Sequence, residues 1–206
     1  ALMELYYSVY GNRYPIIYGS DPEAASKLIL SKKDYWYIIR DPNNHKPVAS
    51  LIIHIDPGVQ IGEVIALAVH PSFQKKGLGN KILEFGCDEL FSSPNCPSSI
   101  YATTRTNSIG PQRLFLKNGF LPMGIFPNSH YINDFETLTF FVRYRADVLA
   151  RRKQIEFVPT YLKDFYSILE KSLPIKGPFV FLPKTVRSNK ITKSKNEFES
   201  ISAPEF

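Results

Sequence analysis

Cysteine is scarce in this chain: Cys87 and Cys96 are the only two in 206 residues. Their spacing fits no metal site and no redox motif, so a disulfide-stapled framework is excluded. Two buried thiols are the expected state, with a single bridge as the alternative. Long apolar runs are missing too, and none approaches the roughly 20 residues of a membrane span. The opening residues Ala1-Leu2-Met3-Glu4-Leu5 lack the basic and apolar regions of a leader. A cytoplasmic location is therefore expected. An initiator Met is also missing, as expected of an excised domain or a trimmed chain. No His/Cys/Asp cluster has metal-ligand spacing, so no metal is expected. No internal repeat is present. Acid is absent from one stretch, residues 184–195, which carry Lys184, Arg187, Lys190, Lys193 and Lys195.

What is present argues for a packed globule: 44% of residues are hydrophobic and 14% aromatic. A domain of roughly 150 residues buries about 70% of its unfolded surface and needs no staples. The net charge of +6 is unevenly spread. Residues 1–150 hold 14 Lys/Arg against 13 Asp/Glu, whereas residues 151–206 hold 11 against 6. The basicity belongs to the tail. Such a run is a solvated segment or an anionic contact; without interleaved aromatics, nucleic acid is not the expected partner. We expect a main domain over residues 1–147. Residues 148–206 form a basic C-terminal extension with one helix over 160–172, then an irregular stretch broken by Pro174, Pro178, Pro183 and Pro204.

Residues 2–9 and 22–32 read as helices, the second opened by Asp21 as cap and Pro22 at the first helical position. Residues 35–40 and 47–55 are β-rich and flank the turn cluster Asp41-Pro42-Asn43-Asn44, which predicts a hairpin. Residues 63–69 are nearly all apolar, as in a strand buried on both faces. The helix that follows carries Leu78, Ile82, Phe85 and Leu90 on roughly one side. A strand over 99–104 and a short helix ending at Asn118-Gly119 come next. Residues 120–126 and 136–144 read as a closing antiparallel pair. The fold class is α/β in the mixed α+β sense, a central mixed sheet flanked by helices.

The most informative segment is the apolar strand that runs through Glu63 and Leu67-Ala68-Val69-His70-Pro71 into Gln74-Lys75-Lys76-Gly77-Leu78-Gly79 and opens a helix. Free N–H groups and the positive end of the helix dipole converge there, which suits a phosphate. Gly77 and Gly79 let the backbone approach an anion closely, and Lys75 and Lys76 either offset its charge or stand as a solvated loop. A bare Gly-x-Gly would be only a tight turn. Strand, loop and helix together resemble the acyl-CoA loop of the GNAT superfamily of N-acetyltransferases. The segment Arg113-Leu114-Phe115-Leu116-Lys117-Asn118-Gly119-Phe120 is similar to a second family segment beside the pantetheine arm. The resemblance covers residues 1–145.

The resemblance implies a GNAT fold and acetyl-CoA as acyl donor, with transfer to a primary amine by direct attack in a ternary complex. The acceptor is a small-molecule amine or a protein amine. It implies that CoA is held by Leu67, Ala68, Val69, Gln74, Lys75, Lys76, Gly77, Leu78, Gly79 and Asn80. Asn107 or Ser108, Phe115 and Lys117 complete that set. In the family the strand holding Leu67 and Val69 splays from its neighbour, and the Val69 N–H polarises the thioester carbonyl. Glu63 stands where several members carry a base; otherwise it is a solvated strand end. Alternation puts Glu63, Ile65, Leu67 and Val69 on one face. Phe115 stands where many members have a Tyr acid, and it cannot donate a proton. Tyr101, Tyr131 and Tyr144 are unplaced alternatives. His70 and His54 read as structural, with the acceptor cleft as the alternative for His54. Tyr14, Tyr18, Trp36, His130 and Tyr131 either line that cleft or belong to the core. Family domains usually begin with a strand that is not visible here: it lay upstream, or residues 151–206 replace it. The extension either forms a partner surface, including a homodimer, or begins a further domain. The alternative to an enzyme is a CoA-binding regulatory or scaffold domain of a larger protein with weak or no turnover.

Overall fold

A computed structural model describes residues 2–11, 21–31, 33–94, 96–131, 134–151, 153, 155–173 and 180–182. Tyr14, Tyr18, the side chain of His130 and the basic run of the tail lie outside the described residues. The chain divides into two compact units, Ala1–Arg152 and Lys153–Phe206.

The first unit opens with helices α1 (Leu2–Tyr10) and α2 (Pro22–Leu30). Asp21 caps α2 as expected, accepting from the Glu23 and Ala24 amides. Six strands follow: β1 (Asp34–Arg40), β2 (Pro47–Asp56), β3 (Ile61–Val69), β4 (Ser99–Arg105), β5 (Leu121–Tyr131) and β6 (Phe135–Tyr144). Helix α3 (Leu78–Ser92) lies between β3 and β4, and α4 (Ile109–Lys117) between β4 and β5. The strands form one sheet in the order β1-β2-β3-β4-β6-β5. Every pairing is antiparallel except β3 with β4. This is the mixed sheet with flanking helices that the element order implies, including both hairpins.

Two cores sandwich the sheet. On one face, Leu51, Ile53, Ile100, Ala102 and Phe141 pack with Ile82, Leu83, Cys87 and Leu90 of α3 and Phe115 of α4. On the other, Ile52, Ala66 and Ala68 pack with Leu5 and Tyr6 of α1. The buried stripe of α3 is Ile82, Leu83, Gly86, Cys87 and Leu90. Phe85, expected on that stripe, is 62% exposed, because small residues at Gly86 and Cys87 shift the inward side by one position. A Cβ on Gly86 would stand 2.7 Å from Leu51 Cδ2 and 3.0 Å from Tyr37 Cδ2, so the missing side chain seats the helix on the sheet. Cys87 is buried and its thiol is pushed up to about 12 by loss of solvation. Cys96 is only half-buried, so the expectation of two buried thiols holds for one; both are free.

In the second unit, β7 (Phe157–Pro159) pairs in parallel with β8 (Val180–Leu182). Helix α5 spans Lys163–Ser172 after a 3-10 turn over Thr160–Leu162, close to the expected helix. The strand β8 has no counterpart in the sequence reading. The two strands of this unit pair with one another, and the strand sought in residues 151–206 as a replacement for the missing first strand is not seen among the described residues of the main sheet.

Candidate functional site

The site is made by a parallel pairing that stops early. Strands β3 and β4 are in register only from Ile61↔Ser99 to Glu63↔Tyr101. Beyond Glu63 the two strands part, and a cleft of about 850 Å³ opens between them. Its walls come from residues 64–69 of β3, residues 103–105 of β4, the loop before α3, and α4.

The backbone of β3 feeds this opening. In an antiparallel ladder, residues bond to the partner strand alternately. The His70 amide donates to the Val48 carbonyl at 2.9 Å, so Ala68 and Ala66 turn their backbone groups toward β2. Leu67 and Val69 therefore point theirs into the cleft. Two of the chain's own side chains reach that edge. The Tyr10 hydroxyl donates to the Leu67 carbonyl at 2.7 Å, and Gln74 Nε2 donates to the Val69 carbonyl at 3.2 Å.

At the mouth, Lys75 (φ +60°) and Gly77 (φ +79°) take left-handed conformations, and the chain turns there into the first turn of α3, whose unpaired N–H groups and positive dipole end favour an anion. Lys75, Arg113 and Lys117 line the cleft with Arg105, and among the described residues no carboxylate does. Gly77 has open space around a Cβ, so its glycine answers a backbone need and not a crowded one.

The residues singled out from sequence divide by position. Leu67, Val69, Gln74, Lys75, Gly77, Leu78, Gly79, Asn80, Ser108, Phe115 and Lys117 line the cleft. Asn80 accepts from Asn118 Nδ2 at 3.0 Å, which ties α3 to the end of α4. Lys76 does not line the wall: its amine sits over the Phe73 ring, 4.7 Å from the centroid, where a cation–π contact holds it. Ala68 is buried on the α1 side, so only its backbone is near the cleft edge. Asn107 lies off the wall, and Ser108, the residue before α4, lies on it.

Glu63 needs a correction of face. The register slips between Ile52 and Ile53 on β2, so Ile65 is an extra residue in β3. Ile65 and Ala66 then fall on the same side, packed with α1, whereas Val64, Leu67 and Val69 pack toward α3. A bulge has this effect because two residues oppose one. Glu63 thus shares the α1 side with Ile65, and not the side of Leu67 and Val69. It stands where the strands part, opposite Tyr101 of β4. Burial, together with the neighbouring Glu63 carboxylate, pushes the Tyr101 phenol up to about 12.

The other candidates have structural partners. His54 Nδ1 lies 2.8 Å from Asp34 Oδ1. The His70 ring accepts from the Ser72 amide at 3.3 Å and caps the short turn after β3. Trp36 Nε1 donates to Ser50 Oγ, which also bonds the Tyr6 hydroxyl, so Trp36 is a core residue. Tyr131 is exposed at the end of β5 and Tyr144 is half-buried at the end of β6, its phenol raised by loss of solvation.

Sequence reading missed Tyr10, Thr104 and Arg113. Arg113 stands four residues before Lys117 in one helix, a spacing that places both on one side. Thr104 is 5% exposed, its hydroxyl has no partner among the described residues, and the residue lines the cleft. An unpartnered buried hydroxyl costs about 1–3 kcal/mol. Thr104→Val should therefore stabilise the free protein by about 1–2 kcal/mol, a rise of roughly 3–6 °C in a thermal melt. A lowered midpoint would mean that the hydroxyl is already satisfied.

Comparison with known proteins bears on this geometry. The family model described as the acetyltransferase (GNAT) family matches residues 1–120. No curated protein matches the chain in sequence at a significant level. Among solved structures, the ribosomal-protein-S5-alanine acetyltransferase from Vibrio fischeri is similar with a TM-score of 0.61 at 16% identity, covering 71% of this chain and 87% of that one. The ribosomal-protein-S18-alanine N-acetyltransferase from Escherichia coli gives 0.57 at 19%, covering 69% and 84%. A chimera of the spermidine N-acetyltransferase from Vibrio cholerae gives 0.55 at 17%, covering 62% and 77%. At these identities the likeness is one of fold.

Proposed function

The chain belongs to the acetyltransferase (GNAT) family, and on that premise we propose that it transfers an acetyl group from acetyl-CoA to a primary amine by direct attack in a ternary complex. The observation that carries this reading is the early parting of β3 and β4. It brings a basic mouth at the first turn of α3 together with the edge of β3 whose Leu67 and Val69 amides face the opening, and Glu63 stands beside the point of parting, off the cleft wall. The residues present fit the donor: a basic, carboxylate-free mouth for the diphosphate and a partly apolar wall for the arm.

When bound, acetyl-CoA supplies an activated acyl group. Everything else falls to the chain. Lys75, Gly77 and Gly79, with Arg113 and Lys117, hold the anionic end. Leu67, Val69, Leu78, Ser108 and Phe115 flank the arm. The Val69 N–H, turned into the cleft, is the donor for charge that develops on an acyl oxygen. An amine of pKa about 10.4 is neutral in only about one molecule in 10³ at pH 7, a penalty of roughly 4–5 kcal/mol. Glu63 takes its proton, directly or through a water. Tyr10, bonded to the Leu67 carbonyl, occupies the next outward-facing position of the same edge about 7 Å from Val69, which supports a short acyl group.

The acceptor is a small-molecule amine or a protein amine. Polyamines and alanine N-termini, named for the similar structures, are the first classes to try. Thiol release from acetyl-CoA in the presence of spermidine, alanine-initiated peptides and lysine peptides tests the reading. Release above the amine-free rate with at least one acceptor is expected. Tight CoA binding without release on any acceptor would instead favour a CoA-binding module, the reading that Phe115 in the acid position motivates.

A further inference from the structure

Four polar residues stand in one row across four strands. The register pairs Asp34 with His54, His54 with Glu63, and Glu63 with Tyr101. Directly paired residues share a face, so all four side chains lie on the α1 side of the sheet. One of the three steps is a hydrogen bond, His54 Nδ1 to Asp34. Glu63 stands beside His54 on one side and Tyr101 on the other, and directly opposed residues have Cβ atoms about 4.5–5.5 Å apart, so the side chains are neighbours.

The Asp34 end is built to hold the imidazole still. The Asp34 side chain is 3% exposed, and its second oxygen accepts from the Ser31 hydroxyl at 2.7 Å. The His54 side chain is 39% exposed. With an ionised carboxylate as acceptor, Nδ1 carries the hydrogen and Nε2 is left to accept a proton. Here a fixed carboxylate sets the tautomer of an imidazole that reaches solvent, and that imidazole neighbours the residue assigned as base.

We propose that His54, oriented by Asp34, clears the amine proton from Glu63 to solvent between turnovers. This rests on the reading of Glu63 given above. The amine N–H breaks as a Glu63 O–H forms. That O–H breaks as a proton passes, directly or through a water, to His54 Nε2, and the imidazolium releases it to solvent. Asp34 accepts the Nδ1 hydrogen throughout. Tyr101 keeps its own proton. His54 is a positioning and proton-clearing residue and does not touch the acceptor.

Two measurements on the full chain test this. First, His54→Ala should reduce kcat about tenfold or more with little change in the KM for acetyl-CoA. Second, added imidazole should restore a substantial part of that loss. A histidine that only props the β1–β2 hairpin would give a lower melting midpoint and no rescue. The proposal is overturned if His54→Ala keeps full kcat, or if imidazole restores none of the loss. If imidazole rescues His54→Ala while Glu63→Gln retains full activity, Glu63 is not the base, and the clearing role goes with it.

Discussion

Gly79→Asp should reduce the affinity for CoA by about 10²–10³-fold and leave the melting midpoint within a few degrees of the parent. The fold has room for the change: a Cβ at Gly79 would lie 3.6 Å from Val69 Cγ2 and 3.7 Å from Leu114 Cδ2, ordinary contact distances. A carboxylate in the first turn is even favourable to α3 itself, since it meets the positive end of the dipole. That is also why it harms binding. It brings negative charge to the basic mouth, and like charges about 4 Å apart repel by about 4 kcal/mol at the effective dielectric of a protein surface. Gly79→Ala separates shape from charge and should weaken binding far less. Calorimetric titration with CoA, paired with a thermal melt, decides the matter. Unchanged CoA affinity in the Asp variant would remove the mouth as the site.

Glu63→Gln should lower kcat about 10²-fold at pH 7 with saturating amine. The deficit should shrink as pH rises toward 10. Without a base, the rate follows the fraction of neutral amine, which grows tenfold per pH unit below about 10.4. The parent enzyme is relieved of that dependence, so the two profiles converge. Parallel profiles, or full activity at pH 7, would leave Glu63 as no more than a strand end.

The sequence made the frame of this molecule legible where local chemistry decides it. Asp21-Pro22 started a helix where expected, the Asp41–Asn44 cluster turned a hairpin, and Gly77 and Gly119 took the positive φ that their positions demanded. The turn before α3 was legible for the same reason, since Gly77 states a backbone need. Faces were harder. Nothing in Ile-Gly-Glu-Val-Ile-Ala-Leu-Ala-Val announces that Ile65 is an extra residue, because a bulge is fixed by the partner strand and every residue around it is apolar. Strict alternation therefore put Glu63 on the wrong side. Tyr10 and Thr104 escaped notice because contacts 57 residues apart, or a hydroxyl left without a partner, exist only after folding. The place of Lys76 was left open between anion and solvent, and the contact it makes with the Phe73 ring is likewise visible only after folding.

A bare α-carbon at position 86 has reach beyond its own contacts. Seven residues along a helix span about 10 Å, so the grip at Gly79 and the seat at Gly86 are two ends of one rigid rod. A methyl there would stand 2.7 Å from Leu51 Cδ2, so Leu51, Tyr37 or the helix itself would have to give way. The close seat of the rod on the sheet thus rests on a position that never meets the ligand.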